Sequence, residues 1–426
     1  MPRKTILTLS VVSSLCGLVA CSGTDSGVGG PSAGAPTAGA SGIGTSGGAA
    51  NGGAPAGGAS GAAGGGVAGG GSAGTSGAAG TSGAAGVGGS TFTPGTTAMM
   101  NKGWLYTMGN QILVSNGPAA AGTRWVGRGV NVDDLFFCGY NYMLMTANAE
   151  ALMKTELDGL FSAWKPNFVR LSLGMNSYPV KASWLTDDAK YKTPMTHLIQ
   201  AITARPNTYV LVTVRSDVSM LVGQAGDPEP TGIPSDATNT PDKALYPTGT
   251  DAVYVALVDS FAADPHVLFG LSNEAGGNTG TEDKIRAAMS HAVTTIRAEE
   301  DKLRVPHHLV SVQGLGYTGN IAMYGKQPLT QDNVVYELHG YPPSASAYTF
   351  DNIPVILGEY GNLDANSAPT FFQDLETKQI GSLAWDFDPY SNCAPDLLDI
   401  THDASKLSAN DWGKLVQGYL TQHAPP

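Results

Sequence analysis

The sequence is poor in cysteine, in positive charge and in long apolar runs. Only four cysteines occur in 426 residues, and no Cys/His spacing of the zinc-gripping kind is present. Lys and Arg number 23 against 35 Asp and Glu, for a formal net charge of -12. No basic stripe offsets that charge, which argues against a nucleic-acid partner or binding to an anionic membrane surface. No phosphate loop is found, and no glycine-rich turn follows a strand-like run, so no nucleotide cofactor is indicated. Neither a metal nor any other cofactor is expected. The apolar stretch at residues 6–20 is too short to cross a bilayer as a helix. The length admits one large domain or two ordinary ones.

What is abundant is glycine, 57 residues of it, crowded before residue 90. Arg3 and Lys4 precede the short apolar stretch, which ends in LVAC at residues 18–21. A positive start followed by such a stretch reads as an export signal. The tetrapeptide resembles the lipobox of bacterial lipoproteins. That resemblance implies lipidation of Cys21 and a membrane partner reached through an N-terminal lipid anchor. An ordinary secretory signal cleaved nearby is the other reading. Both take the protein out of the cytoplasm, lipid-anchored to a bacterial membrane or cell surface, or secreted.

Residues 22–90 are almost all Gly, Ala, Ser and Thr, with the near-repeat AGTSGAAGTSGAAG at residues 73–86. Such a composition cannot bury enough apolar surface to offset its ordering entropy. It is expected to be a flexible linker with an r.m.s. reach of roughly 45 Å. A repeat fibre is disfavoured because no strict tripeptide period is present. The expected organisation is therefore a signal peptide and lipobox at residues 1–21, a linker at 22–90 and a folded domain at 91–426.

In the folded domain, WLYTMGNQILVSNG reads as a hairpin turning at Gly109-Asn110. Eight short apolar runs follow: RWVGRGVN, NFVRLSL, TYVLVTV, HVLFGLS, HLVSVQG, NVVYELHG, PVILGEYG and GSLAWDF. Most lack polar alternation, as strands buried on both faces do. Helical patterns lie between them, including AEALMKTELDGLFSAW, MTHLIQAITAR and DAVYVALVDSFAAD. In TGTEDKIRAAMSHAVTTIRAEE, Thr279 and Glu282 fit a capping box. The segment after the sixth strand is weakly helical at best. Eight strands alternating with helices predict an α/β fold, a (β/α)8 TIM barrel.

Such a barrel gathers its chemistry at the C-terminal ends of its strands. Those ends carry Asn131, Arg170, Arg215 and Asp217, Asn273 and Glu274, His339 and Tyr341, Glu359, and Trp385 with Asp386. Glu274 and Glu359 are the pair that glycoside cleavage needs, one carboxyl to protonate the leaving oxygen and one to attack or to activate water. An Arg keeps one carboxylate ionised. An exposed Trp offers a flat face to a sugar ring.

In this order the motifs resemble those of glycoside hydrolase family 5, a family of retaining (β/α)8 glycosidases that includes cellulases. LFGLSNEAGG resembles its strand-four Asn-Glu motif, implying Glu274 as acid/base and Asn273 as a contact to the sugar 2-hydroxyl. VILGEYG resembles its nucleophile motif, implying Glu359. FVRLSLG, YELHGYPP and LAWDFDP match at Arg170, at His339 and Tyr341, and at Trp385 as sugar platform. The resemblance implies cleavage of a β-linked polysaccharide (glucan, mannan or related) by double displacement. With Asn131 the substrate-binding set is Asn131, Arg170, Asn273, His339, Tyr341 and Trp385. One departure stands out. The family's third strand usually ends near a His, where LVTVRSD offers Arg215 and Asp217 instead, a cation that suits an acidic or modified sugar or a rebuilt subsite. A binding barrel without hydrolysis and a structural surface lipoprotein are the competing readings. A monomer is expected.

Two cysteines remain after the signal. Cys138 follows the first strand and Cys393 the eighth. In a closed barrel these strands are neighbours, so their loops meet at the mouth and a disulfide is geometrically plausible.

Overall fold

The computed structural model describes residues 98, 101–118, 120–133, 148–174, 184, 188–215, 251–274, 281–390 and 395–425. Cys21, the linker, Cys138, Cys393, Asp217 and Thr279 lie outside these residues.

The expected hairpin is present. Strands β1 (Leu105–Met108) and β2 (Gln111–Val114) pair antiparallel, with Met108 opposite Gln111. Gly109 takes φ 60° in the turn, a conformation that favours glycine. A two-residue strand, β3 (Thr123–Arg124), completes this small sheet.

All eight barrel strands then appear in the expected order. They are β4 (Arg128–Val132), β5 (Phe168–Gly174), β6 (Tyr209–Arg215), β7 (Val267–Gly270), β8 (Val310–Val312), β9 (Val334–Gly340), β10 (Val355–Tyr360) and β11 (Gly381–Ala384). Each pairs parallel with the next, and β11 pairs with β4 to close the barrel. The surrounding helices are α1 (Ala149–Ala163), α2 (Thr193–Thr203), α3 (Asp251–Phe261), α4 (Glu282–Leu303), α5 (Ala322–Lys326), α6 (Ala368–Lys378) and α7 (Asp411–Gln422). Between β9 and β10 a 3-10 turn, Ala345–Ala347, is the helical element, as the weak pattern there predicts. The protein is a (β/α)8 TIM barrel.

The cap of α4 differs from the expectation. Thr281 is the N-cap, and its hydroxyl accepts from the Lys284 amide at 3.4 Å. Glu282 is then the first helical residue and stands too early to close a capping box, whose acid sits at the third position.

Strand alternation divides the apolar residues into two sets. Val169, Leu171, Val210, Val212, Val334, Tyr336 and Leu338 join the large core between barrel and helices. Phe168, Leu211, Leu268, Leu309, Val335, Ile356 and Leu383 form a second core with Leu105 and Ile112 of the hairpin and with Trp125. That second core is the barrel interior near the strand starts, and the hairpin closes that end. Asn333 fastens it there: its side chain donates to the Leu105 carbonyl and accepts from the Thr107 amide, both at 3.0 Å. Farther along the same interior line the residues turn polar, through Arg170, Ser311 and Glu337 to Gln313 and His339. The closed end is apolar, and the polar end is where the strands finish.

Candidate active site

Arg170 stands at the centre of the polar end. It is fully buried on β5, and its guanidinium is shared four ways. Nη1 donates to Asn131 Oδ1 at 2.9 Å and to Glu359 Oε1 at 2.8 Å. Nη2 donates to Asn273 Oδ1. Nε lies 2.9 Å from Glu337 Oε1. Asn131, also fully buried, donates to the Gly358 carbonyl at 2.9 Å. Sequence reasoning makes both residues sugar contacts; the structure buries both fully. Their polar atoms are consumed beneath the site, where they hold Asn273 and Glu359 in place.

Glu359 belongs to β10, whose register shifts between Leu357 and Glu359 against β9. Such an irregularity re-aims a side chain. Besides Arg170, Glu359 accepts from the Tyr341 hydroxyl at 2.7 Å. Desolvation and the Glu359 carboxylate push the Tyr341 phenol well above its usual range, so it acts as a donor.

Glu274 follows β7 and takes φ 53°, a left-handed backbone that an ordinary side chain seldom adopts. Its amide donates to Gln313 Oε1, which also accepts from the Thr318 hydroxyl at 3.1 Å. These contacts fix the turn that presents the carboxylate, which keeps 19% of its side-chain surface exposed.

His339 joins the two acids. Its Nδ1 lies 2.8 Å from Glu274 Oε1 and 3.6 Å from Glu359 Oε2, and its Nε2 lies 2.9 Å from Glu337 Oε1. Burial opposes charge on this imidazole. Glu359, Glu274 and Glu337 outweigh it and raise the pKa to about 9. Burial likewise opposes ionisation of Glu337, but Arg170, His339 and Ser311 bring its pKa down to about 2. Arg170 is held charged: burial disfavours the cation, and Glu337 and Glu359 overcome that. One donor atom each from Glu274, His339 and Glu359 lie within 4.8 Å of one another, a spacing that a divalent ion would also accept.

The remaining sequence expectations fare differently. Asn273 is nearly buried beside Glu274, and receiving Arg170 on its oxygen leaves its NH2 as the group for a ligand. Tyr341 is 36% exposed at the rim. Trp385 follows β11, but only 5% of it is exposed, so the open ring face expected from sequence is not seen. Asp386 and Asp388, which follow it, are fully buried as well. Burial and the neighbouring Asp133, Asp388 and Asp396 hold Asp386 well above the usual carboxylate range. Arg215 is the last residue of β6, with its side chain outside the described set. Glu337, Ser311, Gln313 and Thr318 escape sequence reasoning. Glu337 did carry a signal, being a charged residue inside an apolar strand two positions before His339.

Residues 137–391 match the sequence profile of cellulases, glycosyl hydrolase family 5. The chain belongs to that family. Among solved structures, this family member is similar to the catalytic domain of Thermobifida fusca endoglucanase Cel5A, at 17% identity and TM-score 0.52, covering 75% of this chain and 97% of that one. It is similar to the Saccharophagus degradans β-glucanase SdGluc5_26A in complex with cellotetraose, at 15% identity and TM-score 0.54, covering 78% and 96%. A Streptomyces thermolilacinus β-mannanase with mannohexaose aligns at 18% identity and TM-score 0.51, covering 76% and 97%. At these identities the likeness is one of fold. No curated protein sequence matches the chain. As a member of family 5 the protein is a glycoside hydrolase.

Proposed function

We propose that this hydrolase cleaves a β-linked polysaccharide, a glucan, a mannan or a related chain, with retention of configuration, using Glu359 as nucleophile and Glu274 as acid/base. The observation that carries this reading is the closeness of the two acids, with one carboxylate oxygen of each within 4.8 Å of the other. Retaining enzymes hold their carboxyl groups about 5–5.5 Å apart, whereas inverting enzymes leave about 6.5–9.5 Å for a water. Glu359, fixed by Arg170 and Tyr341, attacks the anomeric carbon while Glu274 gives its proton to the departing oxygen. Water then attacks the glycosyl ester, its proton goes to Glu274, and Glu359 leaves as a carboxylate. The substrate class is favoured by neighbours named as β-glucanase and β-mannanase, solved with cellotetraose and mannohexaose.

The test is a panel of β-linked polysaccharides, with the anomer of the first product read by NMR. Retention is expected. Glu359→Ala should lose about 10⁴-fold or more in kcat, and azide should restore turnover with the inverted glycosyl azide as product. An inverted product from the unmodified protein would sink the assignment.

Export and lipid anchoring belong to the same reading, on the strength of Arg3, Lys4 and the LVAC tetrapeptide. Cys21→Ala should move the protein from the membrane fraction to the soluble one with unchanged specific activity. Retention in the membrane fraction would remove Cys21 as the anchor.

A further inference from the structure

We propose that Glu337 is a positioning residue of the active site: by accepting the Nε2 proton of His339, it makes Nδ1 of that imidazole the proton partner of Glu274. The inference rests on the reading of Glu274 and Glu359 as the hydrolytic pair.

Glu337 and His339 stand two apart on β9 and so face the same side of the strand. Glu337 is fully buried. Its Oε2 accepts from the Ser311 hydroxyl at 2.6 Å, and its Oε1 lies 2.9 Å from both His339 Nε2 and Arg170 Nε. Gly358 on the adjacent strand makes room for it, since a Cβ there would fall 1.9 Å from Glu337 Oε1. A carboxylate locked against a guanidinium accepts hydrogen bonds and cannot donate them. The nitrogen facing it must therefore carry a proton.

The other nitrogen, Nδ1, faces Glu274. Two arrangements hold the same number of protons. In one, an imidazolium donates to the Glu274 carboxylate. In the other, a neutral imidazole protonated at Nε2 accepts from the Glu274 carboxylic acid. They differ in the place of one proton, with the Nδ1–H bond broken and the Oε1–H bond formed. The second arrangement has the acid that a leaving oxygen requires. Without the Glu337 carboxylate a neutral imidazole could keep its single proton on Nδ1. It would then donate to Glu274 and hold it as the carboxylate. A buried carboxylate behind an imidazole selects the tautomer in this way.

Every charged group facing the imidazole is accounted for among the described residues. Glu274 approaches from the end of β7, Glu359 from β10 and Glu337 from β9 itself, with Arg170 of β5 behind and the Tyr341 hydroxyl beside Glu359. The three carboxylates overcome burial and place the loss of the imidazolium proton near pH 9. The pair therefore stays loaded with its proton through neutral pH.

The experiment compares the unmodified protein with Glu337→Gln, which keeps the shape and removes the charge. Imidazole ¹⁵N NMR of the unliganded proteins is the first readout. Nε2 should stay protonated in the unmodified protein, with titration near pH 9. In Glu337→Gln that titration should fall by at least about one pH unit, with some Nδ1-protonated tautomer. Kinetics are the second readout. The alkaline limb of kcat/KM should move to lower pH by a similar amount. Cleavage of cellohexaose or mannohexaose should fall about tenfold, and that of a 2,4-dinitrophenyl β-glycoside, whose leaving group needs no proton, by less than about twofold. Equal losses on both substrate types, or an unmoved imidazole titration, would overturn the proposal. If Glu337→Gln does not fold, Ser311→Ala loosens the same carboxylate and should shift the titration in the same direction by a smaller amount; no shift overturns the proposal. A protein inactive on every substrate would refute the hydrolytic reading, and the NMR titration would still decide for or against the role of Glu337.

Discussion

The two ends of the barrel carry the same trio of residue types, an arginine, a glutamate and a histidine, and put them to opposite uses. At the closed end, Arg297 and Glu300 of α4 pair with each other, and Glu300 accepts from both the amide and Nδ1 of His308 at 2.8 and 2.7 Å. The other His308 nitrogen lies 3.2 Å from the Asp264 carbonyl, and Arg297 also donates to the His308 and Asp332 carbonyls. Glu300 and His308 find their partners within the fold, and neither reaches solvent. At the open end, Arg170, Glu337 and His339 form the corresponding trio, but two further carboxylates, Glu274 and Glu359, lean on the same two cations. The closed trio is complete without a ligand. The open trio carries additional acids at the rim, the pair proposed above to cleave the substrate. Burial and ion pairing alone do not distinguish a structural network from a reactive one; what does is whether the network ends inside the protein or at a cleft.

This contrast is best broken by substitutions at matching places. Arg170→Met should have the largest effect, since it strips Glu337 and Glu359 of a shared cation. Stability should fall by about 3–5 kcal/mol, and kcat/KM by about 100-fold or more, measured by urea unfolding and by steady-state assay. Glu300→Gln should cost about 3 kcal/mol through the uncompensated charge of Arg297, with kcat of the folded fraction within about twofold. A large loss of kcat in Glu300→Gln would end the idea that the closed end is purely structural.

The smallest effect is a pH dependence at that end. His307 sits between Asp301 and Asp332, 2.9 Å from each. Burial lowers its pKa, yet its hydrogen bonds to Asp332 and Asp301 raise it above the ordinary value. A folded pKa above the unfolded one contributes stability that is complete below the unfolded value of about 6.5 and is lost as pH rises through the folded value. Asp332 has the opposite sign: burial raises its pKa, but His307 and Arg297 lower it further. Its share is complete above about pH 3.9 and is lost as pH falls through the folded value. The pair is therefore fully effective between about pH 4 and pH 6.5. The stability advantage of the unmodified protein over His307→Gln should shrink above about pH 6.5, as read by denaturant midpoints. An advantage that grows with pH would contradict this.

Much of this was legible in the sequence because the barrel repeats one simple rule. Strands buried on both faces leave uninterrupted apolar runs, and all eight runs became strands. The polar residues closing those runs pointed to the correct end of the barrel, so Glu274, His339, Tyr341 and Glu359 could be gathered before any coordinates. Depth was not legible. Asn131 and Arg170 lie beneath the rim, because β5 runs on four residues past Arg170 to Gly174 and Asn131 stands in register with Arg170. Trp385 likewise closes its run, and it lies 5% exposed beside the buried Asp386 and Asp388. Glu337 went unread because an acid in mid-strand has meaning only when the closed barrel brings Arg170 of β5 to it across the interior. Thr281 instead of Thr279 as the cap of α4 is a matter of two residues, the scale on which loop geometry overrides a motif.

Arg170 ties more than Glu359 in place. From β5 it reaches Asn131 on β4, Asn273 beyond β7, Glu337 on β9 and Glu359 on β10. One side chain thus clamps five of the eight staves just beneath the same rim. None of β5, β9 and β10 can fray there alone without stranding a buried charge, a cost comparable to a large part of a domain's whole stability. Heat should therefore find no early weak point at the rim, and loss of function should come at the same temperature as melting.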